Sequence, residues 1–145
     1  MIVPENMKAL IVDDNAYARS AAAATLRKLG LGTIDDVGSA ALAIDAVLGM
    51  RYDVVLMDWY MPEMNGAAML QIMHGRHFGP NGKVPVVMMT AYPTRETFAR
   101  ARELGAVDIL TKPFTAAQVA GILGRLLPNG WGVADDAPGE GQVLL

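Results

Sequence analysis

Five side chains, each placed just after a short apolar run, carry the chemistry of this chain. The acids Asp13-Asp14 follow Ala9-Leu10-Ile11-Val12, and Asp58 follows Val54-Val55-Leu56-Met57. Thr90 follows Val86-Val87-Met88-Met89, and Lys112 comes shortly after the weaker run Val107-Asp108-Ile109-Leu110. Three carboxylates drawn to one place repel each other unless a cation sits among them, and hard oxygen donors that leave water in the shell suit Mg²⁺. An ammonium and a hydroxyl beside them complete what phosphoryl transfer to a carboxylate requires. The cation and Lys neutralise the equatorial phosphoryl oxygens, a carboxylate oxygen attacks in line, and the hydroxyl hydrogen-bonds the product. Taken singly, the acids read as helix caps, Thr90 as a turn residue and Lys112 as surface charge. Their joint recurrence after four separate runs favours the joint reading.

For these groups to meet, the runs must be strands whose carboxyl ends share one rim. Their length, their β-branched content and their Asp, Pro or Thr boundaries are those of buried strands. Helical spacing fills the intervals. Ala18, Ala22, Leu26 and Leu29 form one face that ends at Gly30, a C-terminal cap. Ser39 caps a second helix over 40–48, whose narrow apolar face is Leu42, Ala46 and Gly49. A third helix covers 66–73, and Thr94 opens a fourth that ends near Leu104-Gly105. Thr115 and Gln118 match a capping box for a fifth, with Val119, Ile122, Leu123 and Leu126 facing inward. A further strand, Thr33-Ile34-Asp35-Asp36-Val37, lies between the first two helices. The resulting βαβαβαβαβα order predicts an α/β fold: a five-stranded parallel sheet with helices on both faces. The uninterrupted apolar strands belong at the centre and the strands bearing Asp35, Asp36 and Asp108 at the edges. This agrees with the flavodoxin-like order 2-1-3-4-5, which puts the ligand crevice between the first and third strands, where Asp13, Asp14 and Asp58 converge.

Composition excludes several other chemistries. The 145 residues suit one domain, and 52% hydrophobic against 19% charged residues marks a packed chain. With no Cys, disulfides, thiolate zinc sites, iron–sulfur clusters and cysteine nucleophiles are all removed. Lys and Arg number 12 against 15 acids, and three of those acids, Asp135, Asp136 and Glu140, lie after residue 127. The body is therefore neutral, with no nucleic-acid footprint. No basic n-region precedes an apolar h-region, and no apolar run approaches the roughly 18 residues of a membrane span, so the expected location is cytoplasmic. Residues 1–7 read as an N-terminal extension, 8–127 as the domain and 128–145 as a Gly/Pro-rich acidic tail, expected to be mobile.

Over residues 8–127 the chain resembles the receiver domain of two-component response regulators, through Asp13-Asp14, Asp58-Trp59-Tyr60-Met61-Pro62-Glu63-Met64-Asn65-Gly66, Thr90-Ala91 and Lys112-Pro113-Phe114-Thr115. The Asp-Trp-x-Met-Pro and Lys-Pro-Phe-Thr-Ala-Ala stretches are similar to the chemotaxis member. The resemblance implies that Asp58 is the phosphoacceptor, fed by the phosphohistidine of a sensor histidine kinase or a histidine phosphotransferase. It implies Mg²⁺ held by Asp13, Asp14, Asp58 and the main-chain carbonyl of Tyr60. Lys112 would pair with the phosphoryl group, Thr90 would swing toward it, and Lys112-Pro113 would be cis. Output to a downstream protein target would use the face of the fourth helix, fifth strand and fifth helix, here Arg95, Phe98, Arg102, Ile109 and Val119, in a monomer or a phosphorylation-dependent dimer. The expected module is a stand-alone receiver, not an enzyme beyond its own phosphorylation and dephosphorylation.

Two departures from the family pattern stand out. The Tyr or Phe often found three residues before the Lys is Ile109, so a ring-based switch cannot operate there. The positions two after Asp58 and two after Thr90 are both aromatic, Tyr60 and Tyr92, and flank the approach to the acceptor. The alternative function, an Asp-nucleophile phosphatase of haloacid dehalogenase type, needs a second acid two residues after the nucleophile. Tyr60 occupies that place. His74 and His77, although spaced i, i+3, read as exposed loop residues. The Met residues clustered near the third helix read as adaptable core packing, with Met61 and Met64 also candidates for a partner groove.

Overall fold

The computed structural model describes residues 4–74 and 83–126. After a 3₁₀ turn at Pro4–Asn6, five strand–helix pairs follow in order: β1 (Lys8–Val12), α1 (Ala16–Lys28), β2 (Thr33–Val37), α2 (Ala40–Gly49), β3 (Val54–Asp58), α3 (Gly66–Met73), β4 (Val86–Thr90), α4 (Arg95–Glu103), β5 (Asp108–Thr111) and α5 (Ala116–Leu126). All strand pairs are parallel, and the sheet order is β2-β1-β3-β4-β5, the flavodoxin-like arrangement.

Side chains alternate across each strand, so the sheet divides the interior into two cores. Leu10, Val12, Val55, Met57, Val86 and Met88 face α2, α3 and α4. Ala9, Ile11, Val54, Leu56, Val87 and Met89 face α1 and α5. Strands β3 and β4 are buried at every position, as expected for strands covered on both sides, while β2 at the edge is only partly covered. Edge acids find partners: the Tyr52 hydroxyl donates to Asp35 at 2.7 Å, and Arg125 pairs with Asp108 at 2.7 Å.

The helix boundaries follow the capping residues. Asn15, Ser39, Asn65 and Thr94 each accept a hydrogen bond from the backbone three residues on. Thr115 and Gln118 close the capping box in both directions, at 2.8 and 3.1 Å. Gly30, at φ 84°, ends the turn after α1.

Two expectations are corrected. The buried face of α2 is Ala40, Ala43 and Val47, whereas Leu42 is 53% exposed and Gly49 is also exposed. Eight of the ten residues of this helix are apolar, so hydrophobic spacing alone does not fix its rotation, and packing against the sheet does. Val119 belongs to the core with Ile122 and Leu123 and is 1% exposed, so it is absent from the outer face of α4, β5 and α5.

Candidate functional site

The carboxyl ends of β1 and β3 adjoin in the sheet, and this brings Asp13, Asp14 and Asp58 together. One carboxylate oxygen from each lies within 4.8 Å of the others. Asp13 is 1% exposed and Asp58 is buried, while Asp14 is exposed. Lys112, delivered by the turn after β5, reaches both buried acids: its Nζ lies 2.7 Å from Asp13 Oδ2 and 3.1 Å from Asp58 Oδ1. The Lys112-Pro113 peptide is cis.

Asp13 is held at every polar atom. Its N–H donates to Val37 O at 3.1 Å, and its carbonyl accepts from Arg19 Nη1 at 2.7 Å. Its Oδ1 accepts from the Asn15 N–H at 2.9 Å, opposite the Lys112 bond on Oδ2. Among the described residues Asp58 has Lys112 alone as a side-chain partner. Burial, and then the charge of Asp13, push the Asp58 carboxyl up to about 6, against the opposing pull of Lys112. Burial works against the Lys112 ammonium, yet its bonds to Asp13 and Asp58 prevail and hold it above the usual lysine range.

The loop after Asp58 is fitted closely to the helix that follows. Gly66 N–H donates to Trp59 O at 2.9 Å, and a Cβ on Gly66 would lie 2.9 Å from the Asp58 carbonyl oxygen and collide with Met88. Only glycine lets α3 begin this close to the end of β3. Glu63 in the same loop takes the left-handed conformation, φ 68°. Thr90 is fully buried at the end of β4, where its hydroxyl accepts from the Tyr92 N–H at 3.0 Å. The Thr90 carbonyl accepts from the Lys112 N–H at 2.8 Å, tying β4 to the lysine turn.

Tyr60 and Tyr92 extend from the two loops that border the site. Their rings meet edge to face, with centroids 5.8 Å apart and an interplanar angle of 80°. Both remain well exposed. On the other side, beside Lys112, a cavity of about 360 Å³ is lined chiefly by apolar atoms, among them Ala18, Ala21 and Ala22 of α1 and Pro113 and Phe114.

On α4, Arg95, Phe98 and Arg102 are exposed at helical spacing, and Ile109 on β5 is half-buried against the core. His74 is exposed and turns its Nδ1 to the Leu104 carbonyl at 3.1 Å, so it ties α3 to the end of α4. His77 and the tail 128–145 lie outside the described residues. Met61 is buried and Met64 partly so, both packed in the core on the α2, α3 and α4 side of the sheet. Sequence reasoning missed Arg19. Its one signal was an Arg placed a turn into the helix that follows the acidic pair.

Three hard oxygen ligands within 4.8 Å, one of them a buried carboxylate whose ionised form is disfavoured, are a donor set that fits a divalent cation such as Mg²⁺. No described helix is long and apolar enough to cross a membrane.

Residues 9–123 match the family model described as the response regulator receiver domain. The chain is 34% identical over 116 residues to the chemotaxis protein CheY-3 of Vibrio cholerae, an alignment covering 80% of this chain and 88% of that protein. It is 35% identical over 107 residues to a protein-glutamate methylesterase/protein-glutamine glutaminase of Archaeoglobus fulgidus, covering 74% of this chain but only 30% of that protein. In structure it is similar to the CheY4 chemotaxis protein of V. cholerae, with TM-score 0.75 at 26% identity over 83% of this chain and 98% of the other. It is also similar to the receiver domain of a sensor histidine kinase from Pseudomonas aeruginosa, solved with magnesium in its active-site cleft, with TM-score 0.74 at 27% identity over 83% and 97% of the two chains. These relatives support a CheY-like signalling receiver and give no support to a dehalogenase-type phosphatase. With sequence, fold and acidic crevice in agreement, the chain belongs to the response regulator receiver domain family.

Proposed function

We propose that Asp58 accepts a phosphoryl group from the phosphohistidine of a sensor histidine kinase or histidine phosphotransferase. The observation that carries this reading is the Lys112 ammonium bridging Asp13 and Asp58 at 2.7 and 3.1 Å inside the three-acid cluster. Both carboxylate oxygens of Asp13 are engaged and Asp14 is exposed, whereas Asp58 is buried with one oxygen free of partners among the described residues. An Asp58 oxygen bonds to phosphorus as the phosphorus–nitrogen bond of the donor breaks, and the imidazole leaves with that electron pair. Asp13, Asp14, Asp58 and the main-chain carbonyl of Tyr60 would hold Mg²⁺. Bound there, it supplies neutralising charge for the phosphoryl oxygens. Lys112 moves its contact from the carboxylate to the phosphoryl group, and the Thr90 hydroxyl leaves Tyr92 to hydrogen-bond the product.

The signal then leaves through Arg95, Phe98, Arg102 and Ile109 on α4 and β5, toward a downstream protein in the cytoplasm. The chain's catalysis is confined to its own phosphorylation and dephosphorylation. Acetyl phosphate with Mg²⁺ tests the assignment. Mass spectrometry should find one phosphoryl adduct on the wild type and none on Asp58→Asn, and a stoichiometric adduct on the folded variant would overturn it.

A further inference from the structure

We infer that Arg19 is a positioning residue for the cation site, clamping the main chain of Asp13 to the edge strand β2. The guanidinium makes two directed bonds to two elements: Nη1 to the Asp13 carbonyl at 2.7 Å and Nε to Asp36 Oδ2 at 2.9 Å. The first bond holds the turn that carries both Asp13 and Asp14. The second fixes the guanidinium itself, because Asp36 lies in register with Ile11 on the neighbouring strand. A third observation is the space provided for it. Gly38, just past the end of β2, faces the guanidinium, and a Cβ there would stand 3.0 Å from Nη1.

Asp13 needs this support because it is buried and binds through its side chain. With its carboxylate bonded to Asn15 N–H and Lys112, its orientation depends on where its main chain sits; the N–H is tied to Val37 of β2, and Arg19 fixes the carbonyl at the other side of the residue. A planar fork can satisfy two acceptors in fixed directions, whereas an ammonium is a single point of charge. Partners that orient a metal ligand without touching the metal commonly change affinity by about tenfold or more when removed.

The inference rests on the reading of Asp13, Asp14 and Asp58 as a cation site, and the sign of one effect separates positioning from charge. Deleting a positive charge near three acids, by electrostatics alone, tightens Mg²⁺ binding. Loss of positioning weakens it. Calorimetric Mg²⁺ titrations of the full chain should therefore show about tenfold weaker binding for Arg19→Ala, and weaker binding also for Arg19→Lys, which keeps the charge but reaches one acceptor. Gly38→Ala, whose Cβ at 3.0 Å from Nη1 pushes the guanidinium by a few tenths of an ångström with no change of charge, should weaken binding by about threefold, and thermal unfolding in EDTA should show it folded even if Arg19→Ala is not. Equal or tighter Mg²⁺ binding in Arg19→Ala or, where that variant does not fold, in Gly38→Ala, would overturn the clamp. Asp14→Ala serves as the control: wild-type affinity in that variant would instead overturn the cation site itself.

Discussion

Asp13 and Asp58 face one another across one crevice, yet all four polar atoms of Asp13 are bonded while the Asp58 side chain has Lys112 alone among the described residues. The contrast continues into the flanking segments. Behind Asp13 stand a capped helix and a guanidinium fastened to β2. Beside Asp58 lie the loop of Glu63, in the left-handed conformation, and the loop of Tyr92, whose hold on the Thr90 hydroxyl is one backbone bond. On the proposed function, one wall would set the cation's ligand geometry, and the other has groups that can change partners when a phosphoryl group arrives on Asp58. A receiver needs both, because a site free to move on all sides would bind the cation weakly and a site fixed on all sides would transmit nothing.

The largest expected effect separates the two acids energetically. Asp58 keeps its proton to about 6 in the folded protein against an ordinary value of 3.8, so between these pH values the native state binds more protons than the unfolded chain. Its contribution to stability is full below that window and is lost as pH rises through it. In EDTA, Asp58→Asn should match the wild type near pH 4 and exceed it by up to about 3 kcal/mol at pH 7.5. Urea unfolding at the two pH values measures this, and a difference independent of pH would show that Asp58 is not strained by its charge.

Next in size is Gly66→Ala. The added methyl would press on the Asp58 carbonyl and Met88, so it should cost about 2 kcal/mol and slow labelling by acetyl phosphate. Unchanged stability would mean that the Asp58 loop yields more readily than its packing implies.

A smaller effect concerns loss of phosphate. On the proposed function, the edge-to-face Tyr60 and Tyr92 rings border the approach of the hydrolytic water to Asp58 and offer bulk with neither a carboxylate nor an imidazole. Replacing Tyr60 with Asn and Tyr92 with Glu should speed hydrolysis by about tenfold together, each contributing part, because a carboxylate near the water falls short of the about 10²-fold or more that a fully positioned general base supplies. Equal or slower phosphate release from the double variant would show that the rings do not shield the acceptor.

The smallest effect is the most direct test of the two walls. With Ile109 where a switching ring is often found, hydrogen exchange with and without a phosphoryl mimic should change chiefly over 91–104 and little over 8–14. Changes confined to α2 would refute that route.

Much of this arrangement was legible beforehand because strand ends and capping residues are local signals. Apolar runs closed by Asp13, Asp58 and Thr90 mark the carboxyl rim, and Ser39, Thr94 and Thr115 mark helix starts. What was missed depends on rotation or on distant pairing. An almost uniformly apolar α2 carries no unique phase, so Leu42 was placed inward although it faces out. For Val119 the helical spacing of α5 gives the inward position the structure shows, and only the family resemblance puts it on the output face. The Arg19–Asp36 pair joins residues 17 apart through geometry that no spacing rule encodes.

The acids on the two edge strands have a bearing on assembly. A parallel sheet has open flanks whose unpaired amides and carbonyls could recruit a strand from another chain. Here β2 carries Asp35 and Asp36, and β5 carries Asp108, each already engaged by Tyr52, Arg19 or Arg125. An incoming strand would have to displace these partners and strip water from the carboxylates, so charge at both margins of the five strands among the described residues disfavours edge-to-edge pairing.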